Sequence, residues 1–117
     1  MGLARDHGRA GEELAAAYLA LAGLQVERRN VRLGGVEVDL VAREGATRVL
    51  VEVKLRGRSD YGGAVGAVDA RKRERLRRAA RALLGGEPGP VRVDVVAMDL
   101  TAEGLTLRHV RDAVQGD

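Results

Sequence analysis

Val36-Glu37-Val38-Asp39-Leu40-Val41-Ala42 and Arg48-Val49-Leu50-Val51-Glu52-Val53-Lys54-Leu55-Arg56, joined by Arg43-Glu44-Gly45-Ala46-Thr47, decide how the rest of this chain is read. Both arms are rich in β-branched residues and alternate with period 2, the signature of strands. Val36, Val38 and Leu40 alternate with Glu37 and Asp39, and Val49, Val51, Val53 and Leu55 with Leu50, Glu52 and Lys54. A loop over 44–47 makes cross-strand partners sum to 91: Ala42 with Val49, Asp39 with Glu52, Glu37 with Lys54. Opposed side chains on one face stand ~5 Å apart, and like charges there repel. Asp39 against Glu52 therefore costs stability unless a divalent cation lies between them. Two carboxylates, Glu37 nearby and Lys54 form a set suited to metal-assisted hydrolysis of a phosphodiester. The same charges also fit the wet face of an ordinary hairpin, with Glu37 and Lys54 as a cross-strand ion pair, and spacing alone leaves both readings open.

Outward from the hairpin, charge is segregated. The chain has 117 residues and a net charge of +3. Residues 54–81 carry ten basic side chains against Asp60, Asp69 and Glu74, a local +7. Cations to hold a polyanion directly follow carboxylates to hold a metal. Only Tyr18 and Tyr61 are aromatic, which argues against base-stacking single-strand readers. The length fits one domain, 1–117, with a frayed tail over about 111–117. No cysteine is present, excluding disulfide staples and thiolate metal sites. No apolar run reaches membrane-spanning length and 1–9 is not a signal peptide, so a cytoplasmic protein with no membrane partner is expected.

Residues 6–22 read as a helix with Ala10, Leu14, Ala17, Tyr18 and Leu21 on its apolar face, Asp6 as a possible cap and Gly23 as the stop. Residues 24–32 read as a strand, with Leu24 and Val26 inward and Gly34-Gly35 as the following turn. A glycine-rich loop spans 57–66. Asp69 caps a second helix reaching residue 84, with Leu76, Ala79, Ala80, Leu83 and Leu84 buried and Gly85-Gly86 ending it. Arg71, Lys72, Arg75, Arg78 and Arg81 crowd its other sides, a single-sign pattern that destabilises an isolated helix unless an anion binds. Residues 91–98 form a strand suited to a sheet interior, where Arg92 and Asp94 share a face and pair. Residues 105–110 form a last strand. His7 and His109 have no ligand spacing and read as non-functional.

Asp39 followed by Glu52-Val53-Lys54 resembles the PD-(D/E)xK nuclease superfamily. Further blocks are Gly11-Glu12 with Ala15 and Tyr18-Leu19, Arg29-Asn30-x-Arg32, Glu37-x-Asp39-Leu40, Val51-Glu52-Val53-Lys54-x-Arg56, Tyr61-Gly62, Ala67-Val68 with Lys72, and Arg92-x-Asp94-Val95. Together they resemble the YraN family of small bacterial proteins, itself similar to archaeal Holliday-junction resolvases. Val36 stands where the family usually has Gly, and Leu50 where it often has Phe.

The resemblance implies an α/β fold: a restriction-endonuclease-like αβββαβ core with a central mixed β-sheet flanked by helices. It implies Mg²⁺ or Mn²⁺ held by Asp39, Glu52 and the Val53 carbonyl, with Glu12 and Glu37 completing the site. Lys54 would position the nucleophile and offset developing charge. Arg56, Arg58, Lys72 and the helix arginines Arg71, Arg75 and Arg78 would track nucleic acid, DNA above all and branched or junction DNA in particular. Homodimerisation is implied as well. The competing expectations are a nuclease-fold protein that binds nucleic acid without cutting it, or cuts only with a partner, and a small interaction protein whose charges serve solubility.

Overall fold

The structure, a computed structural model, describes residues 2–56 and 70–114, with side chains from residue 9 onward. Among the described residues, seven elements follow in order: α1 (Gly2–Leu21), β1 (Gln25–Leu33), β2 (Val36–Glu44), β3 (Thr47–Arg56), α2 (Ala70–Gly86), β4 (Val91–Thr101) and β5 (Gly104–Val110). The strands form one sheet in chain order, β1-β2-β3-β4-β5. Only β3 and β4 are parallel, because the α2 crossover returns the chain to the same end of the sheet. The α/β class, mixed sheet and flanking helices agree with the expected restriction-endonuclease-like core.

Each face of the sheet is sealed by one helix. Ala15 and Leu19 of α1 pack with Leu24, Leu40, Ala42, Val49, Val51, Val96 and Met98. Leu76, Ala79 and Leu83 of α2 pack with Val36, Val38, Val41, Leu50 and Val93. The valine, leucine and methionine side chains among these each contribute about 1.5–3 kcal/mol when fully buried.

The α1 helix buries a different stripe from the one expected. Gly11, Ala15, Ala16 and Leu19 face inward, whereas Leu14 and Leu21 are exposed and Ala10 and Ala17 lie outside. The small residues let the helix lie close to the sheet: a Cβ on Gly11 would already touch Leu55 and Met98. Gly23 closes the helix in the left-handed region. On α2, Leu84 is exposed and both glycines are helical. The end of α2 is fixed instead by Arg48, whose buried guanidinium donates to the carbonyls of Leu83 (3.2 Å) and Glu87.

Gly34 turns β1 into β2 with φ 59° and lies against the Arg78 backbone of α2, where any side chain would crowd. The expected fraying does not begin at Arg111. Arg111 reaches Glu44, Ala113 donates its N–H to the Val93 carbonyl at 2.7 Å, and Val114 is buried in the α2-side core. Arg58, the loop over 57–66, Asp69 and residues 115–117 lie outside the described residues, as does the Asp6 side chain.

Candidate functional site

The hairpin has the expected register where it is paired. Glu44↔Thr47, Arg43↔Arg48, Ala42↔Val49, Val41↔Leu50 and Leu40↔Val51 all sum to 91. The ladder stops there, so Asp39 with Glu52 and Glu37 with Lys54 are not ladder pairs. Beyond Leu40, β2 is paired with β1 and β3 with β4. The two strands fork at Asp39.

A second irregularity falls at the same residue. Val36 and Val38 pack on the α2 side, but Leu40 and Ala42 pack on the α1 side. The expectation that Val36, Val38 and Leu40 share a face is thus corrected: β2 changes face at Asp39. The β1 pairs Arg29↔Leu40 and Val31↔Val38 bracket Asn30, which takes φ 51°. Asn tolerates this left-handed conformation better than most residues, so the distortion is taken up jointly by Asn30 and Asp39.

Asp39 occupies the gap left by the fork. The Val53 backbone N–H donates to Asp39 Oδ2 at 2.8 Å, replacing a ladder bond with a side-chain one. Burial and then the charge of Glu52 push the Asp39 carboxyl from 3.8 up to about 6, and the charge of Glu12 adds to the rise. The Val53 N–H and Lys54 oppose it. Electrostatically, then, Asp39, Glu52 and Glu12 form one negative neighbourhood.

Glu52 itself is 6 % exposed and holds two ammonium groups on one oxygen: Lys54 Nζ at 3.1 Å and Lys72 Nζ at 2.9 Å from Oε2. The side chain of Lys54 therefore meets Glu52 of its own strand, not Glu37. Burial, the largest influence on Lys72, lowers its tendency to hold its proton, but its hydrogen bonds and the charge of Glu52 together outweigh this and leave the ammonium above its usual range. Lys72, an expected phosphate contact, is delivered by the α2 crossover into the carboxylate cluster. Glu37 is exposed, with Arg32 as its β1 partner, and does not join the cluster.

The donor set is carboxylate and carbonyl oxygen, suited to a hard divalent cation. Two neighbouring carboxylates, one of them reluctant to ionise, fit such an ion. Asp39 and Glu52 would hold it, with Glu12 and the Val53 carbonyl as the further ligands that the resemblance implies. Among the described residues, however, no three His, Asp or Glu converge as a ready-made metal group.

Around this cluster, Arg71, Arg75 and Arg78 are exposed along α2, and Arg56 ends β3 beside Leu14, Leu100 and Leu105. Sequence reasoning also missed a polar network on the α1 side. Asp94, fully buried, accepts from Arg92 Nε (2.8 Å), Arg92 Nη2 (3.1 Å) and the Asp112 N–H (3.0 Å). His109 bridges Asp94 Oδ2 and the Tyr18 hydroxyl, at 2.8 Å each. Arg92 continues to Glu44, which Arg111 also engages. The expected Arg92–Asp94 pair is present; His109, read as idle, links it to α1. Only the i, i+2 placement of Arg92 and Asp94 hinted at the network.

Fold and cluster define a small α/β domain of restriction-endonuclease-like architecture, with acidic and lysine side chains gathered where its hairpin forks. The chain belongs to the family described as "Uncharacterised protein family UPF0102", the YraN family, whose profile matches residues 11–98. It is 48 % identical over 109 residues to a UPF0102 protein of Halorhodospira halophila, covering 93 % of this chain and 87 % of the relative. A UPF0102 protein of Symbiobacterium thermophilum is 42 % identical over 115 residues, covering 95 % and 98 %. One from Dechloromonas aromatica is 41 % identical over 111 residues, covering 94 % and 89 %. No helix among the described residues is long and apolar enough to cross a membrane.

Proposed function

We propose that this protein is a metal-dependent endonuclease-like protein acting on nucleic acid, with DNA, including branched or junction DNA, as its substrate class. The observation that carries the reading is the placement of Asp39 beside Glu52 at the fork, where burial and the neighbouring charge lift the Asp39 carboxyl to about 6. Such a pair lowers stability in isolation and is accounted for by a cation.

A bound Mg²⁺ or Mn²⁺ would polarise the phosphoryl group and acidify water. The chain's own groups do the rest. The Val53 N–H holds Asp39 in place at 2.8 Å, so the carboxylate is oriented before ligand arrives. Lys54 and Lys72 stand at 3.1 and 2.9 Å from Glu52, where ammonium groups offset charge that builds on a phosphate. Arg71, Arg75 and Arg78 give α2 an exposed basic face for the backbone.

A second reading has its own support. Both lysines already neutralise Glu52, and no three-ligand group is preformed among the described residues. A nuclease-fold protein that binds nucleic acid without cutting it, or cuts only with a partner, would have this arrangement.

Cleavage of labelled duplex, flap and four-way-junction DNA with Mg²⁺ or Mn²⁺ separates the two. Cutting by the wild type, lost in Asp39→Ala and Glu52→Ala while binding persists, supports the first. Binding without cutting by the wild type, with no Mn²⁺ affinity, sinks the first and favours the second.

A further inference from the structure

A pocket of about 590 Å³ lies between α2 and the segment that follows β5, away from the carboxylates themselves. Arg73, Arg77 and Arg111 line it, with Val110 and Ala113 as its apolar part and Ala70 at the amino end of α2. Among the described residues Asp112 is the one acidic side chain in the lining, and its backbone N–H is committed to Asp94. Arg73 and Arg77 are one turn apart and share a side of the helix. Glu74 lies 3.7 Å from Arg77, and Glu44 takes Arg111 through Nη1 alone, out of five guanidinium N–H donors.

The pocket and Glu52 share the α2 side of the sheet. Glu52 and Lys54 pair across the parallel ladder with Val95 and Ala97. Those two side chains are buried under Val110 and Ala113, which line the pocket. Val95 pairs in turn with Val110, and neighbouring strands lie ~4.8 Å apart, so the pocket begins two strands beyond Glu52. On α2, Lys72 points to Glu52 and Arg73 is the next residue. Both relations put the pocket and Glu52 on one side of the sheet, along which a single nucleic-acid strand can run.

We infer that the Arg73–Arg77–Arg111 pocket is a phosphate subsite that seats a backbone phosphodiester beside the one presented to Asp39 and Glu52. Planar guanidinium forks match phosphate oxygens in pairs, and the apolar Val110–Ala113 floor suits the sugar. This inference rests on the proposed action on nucleic acid, and deepens it by placing the strand over β4 and β5 rather than along the whole of α2.

The test is binding of fluorescent duplex DNA in EDTA across a salt series, comparing wild type with Arg73→Gln and Arg77→Gln. Thermal melts establish that each variant is folded; Arg73 is exposed, so Arg73→Gln is the variant least able to disturb packing. The expected result is several-fold weaker binding in each variant, with the log–log salt slope smaller by about one per arginine removed. Variants that bind like the wild type overturn the pocket and leave the proposed function standing. A wild type that binds no nucleic acid overturns the proposed function instead. The pocket is then judged by titrating inorganic phosphate and following arginine Nε–H resonances by NMR: saturable shifts at Arg73 and Arg77 uphold a phosphate site, and their absence overturns it.

Discussion

Val53 gives its backbone N–H to the carboxylate of Asp39 at 2.8 Å, at the residue where β2 and β3 cease to pair. One bond thus compensates the lost ladder and aims the carboxylate. It does not compensate the charge, since Asp39 remains lifted to about 6 by burial and by Glu52.

That lift sets the sign of a pH effect. The folded value lies above the unfolded one, so Asp39's contribution to stability is fully present below about pH 4 and lost as pH rises through about 6. With partial exposure discounting the full shift, Asp39→Asn should exceed the wild type in stability by about 2 kcal/mol above pH 6.5. The difference should vanish at pH 4. Urea unfolding at both pH values checks this. Mn²⁺ should raise the melting temperature of the wild type and leave that of the variant unchanged, and chelation should reverse the rise.

Glu52→Gln has the opposite consequence. It leaves Lys54 and Lys72 facing each other without their shared carboxylate. Removing one partner from a buried pair costs ~3–5 kcal/mol. Here the lysines are 23 % and 27 % exposed, so a loss of about 2 kcal/mol is expected. Glu52→Gln combined with Lys72→Met should recover part of it. A double-mutant cycle with a coupling near zero would show that the pair contributes nothing.

The Asp94 network predicts stability without activity. Burial alone would raise the Asp94 carboxyl, but Arg92, the Asp112 N–H and His109 lower it below its ordinary value. Its contribution is therefore present above about pH 4 and lost as pH falls through the lowered folded value. Asp94→Asn should cost about 3 kcal/mol at pH 7, and Tyr18→Phe about 1 kcal/mol. Calorimetry of both variants, set beside an unchanged DNA affinity, is the check.

Arg48→Met tests how α2 ends. Losing the guanidinium leaves the carbonyls of Leu83 and Glu87 without their donor, a cost of about 1–3 kcal/mol. Amide exchange should accelerate over the last turn of α2 and not in α1. Uniform acceleration in both helices would refute a local role.

Much of this was legible in the sequence. Period-2 runs mark the strands, and a loop over 44–47 gives the pairing that holds through Leu40↔Val51, with Glu44 and Thr47 themselves paired. Asp39, Glu52 and Lys54 were singled out, and they do lie together. What the pattern hid were departures from regularity. A face change at Asp39 breaks no hydropathy rule, because Val38 and Leu40 are apolar and each is buried on its own side. On α1, hydropathy alone favours Leu14 and Leu21 as the buried stripe, whereas close packing on the sheet selects Gly11 and Ala15. Lys72 and His109 reach their partners through tertiary contacts 20 and 15 residues away, beyond any local signal.

The lone parallel pair also carries a consequence for the order of assembly. The β2–β3 hairpin closes over a two-residue turn, an event of about microseconds. Pairing β3 with β4 joins Glu52 to Val95 across 43 positions, and such non-local parallel contacts form late. Lys72 arrives with that step, since it lies in the crossover. For an interval, the newly folded hairpin therefore presents Asp39 and Glu52 without Lys72 between sheet and helix. Pulse-labelled hydrogen exchange should protect β2 and β3 before β4, and the acidic pair should be most exposed to a passing cation while the chain is still unfinished.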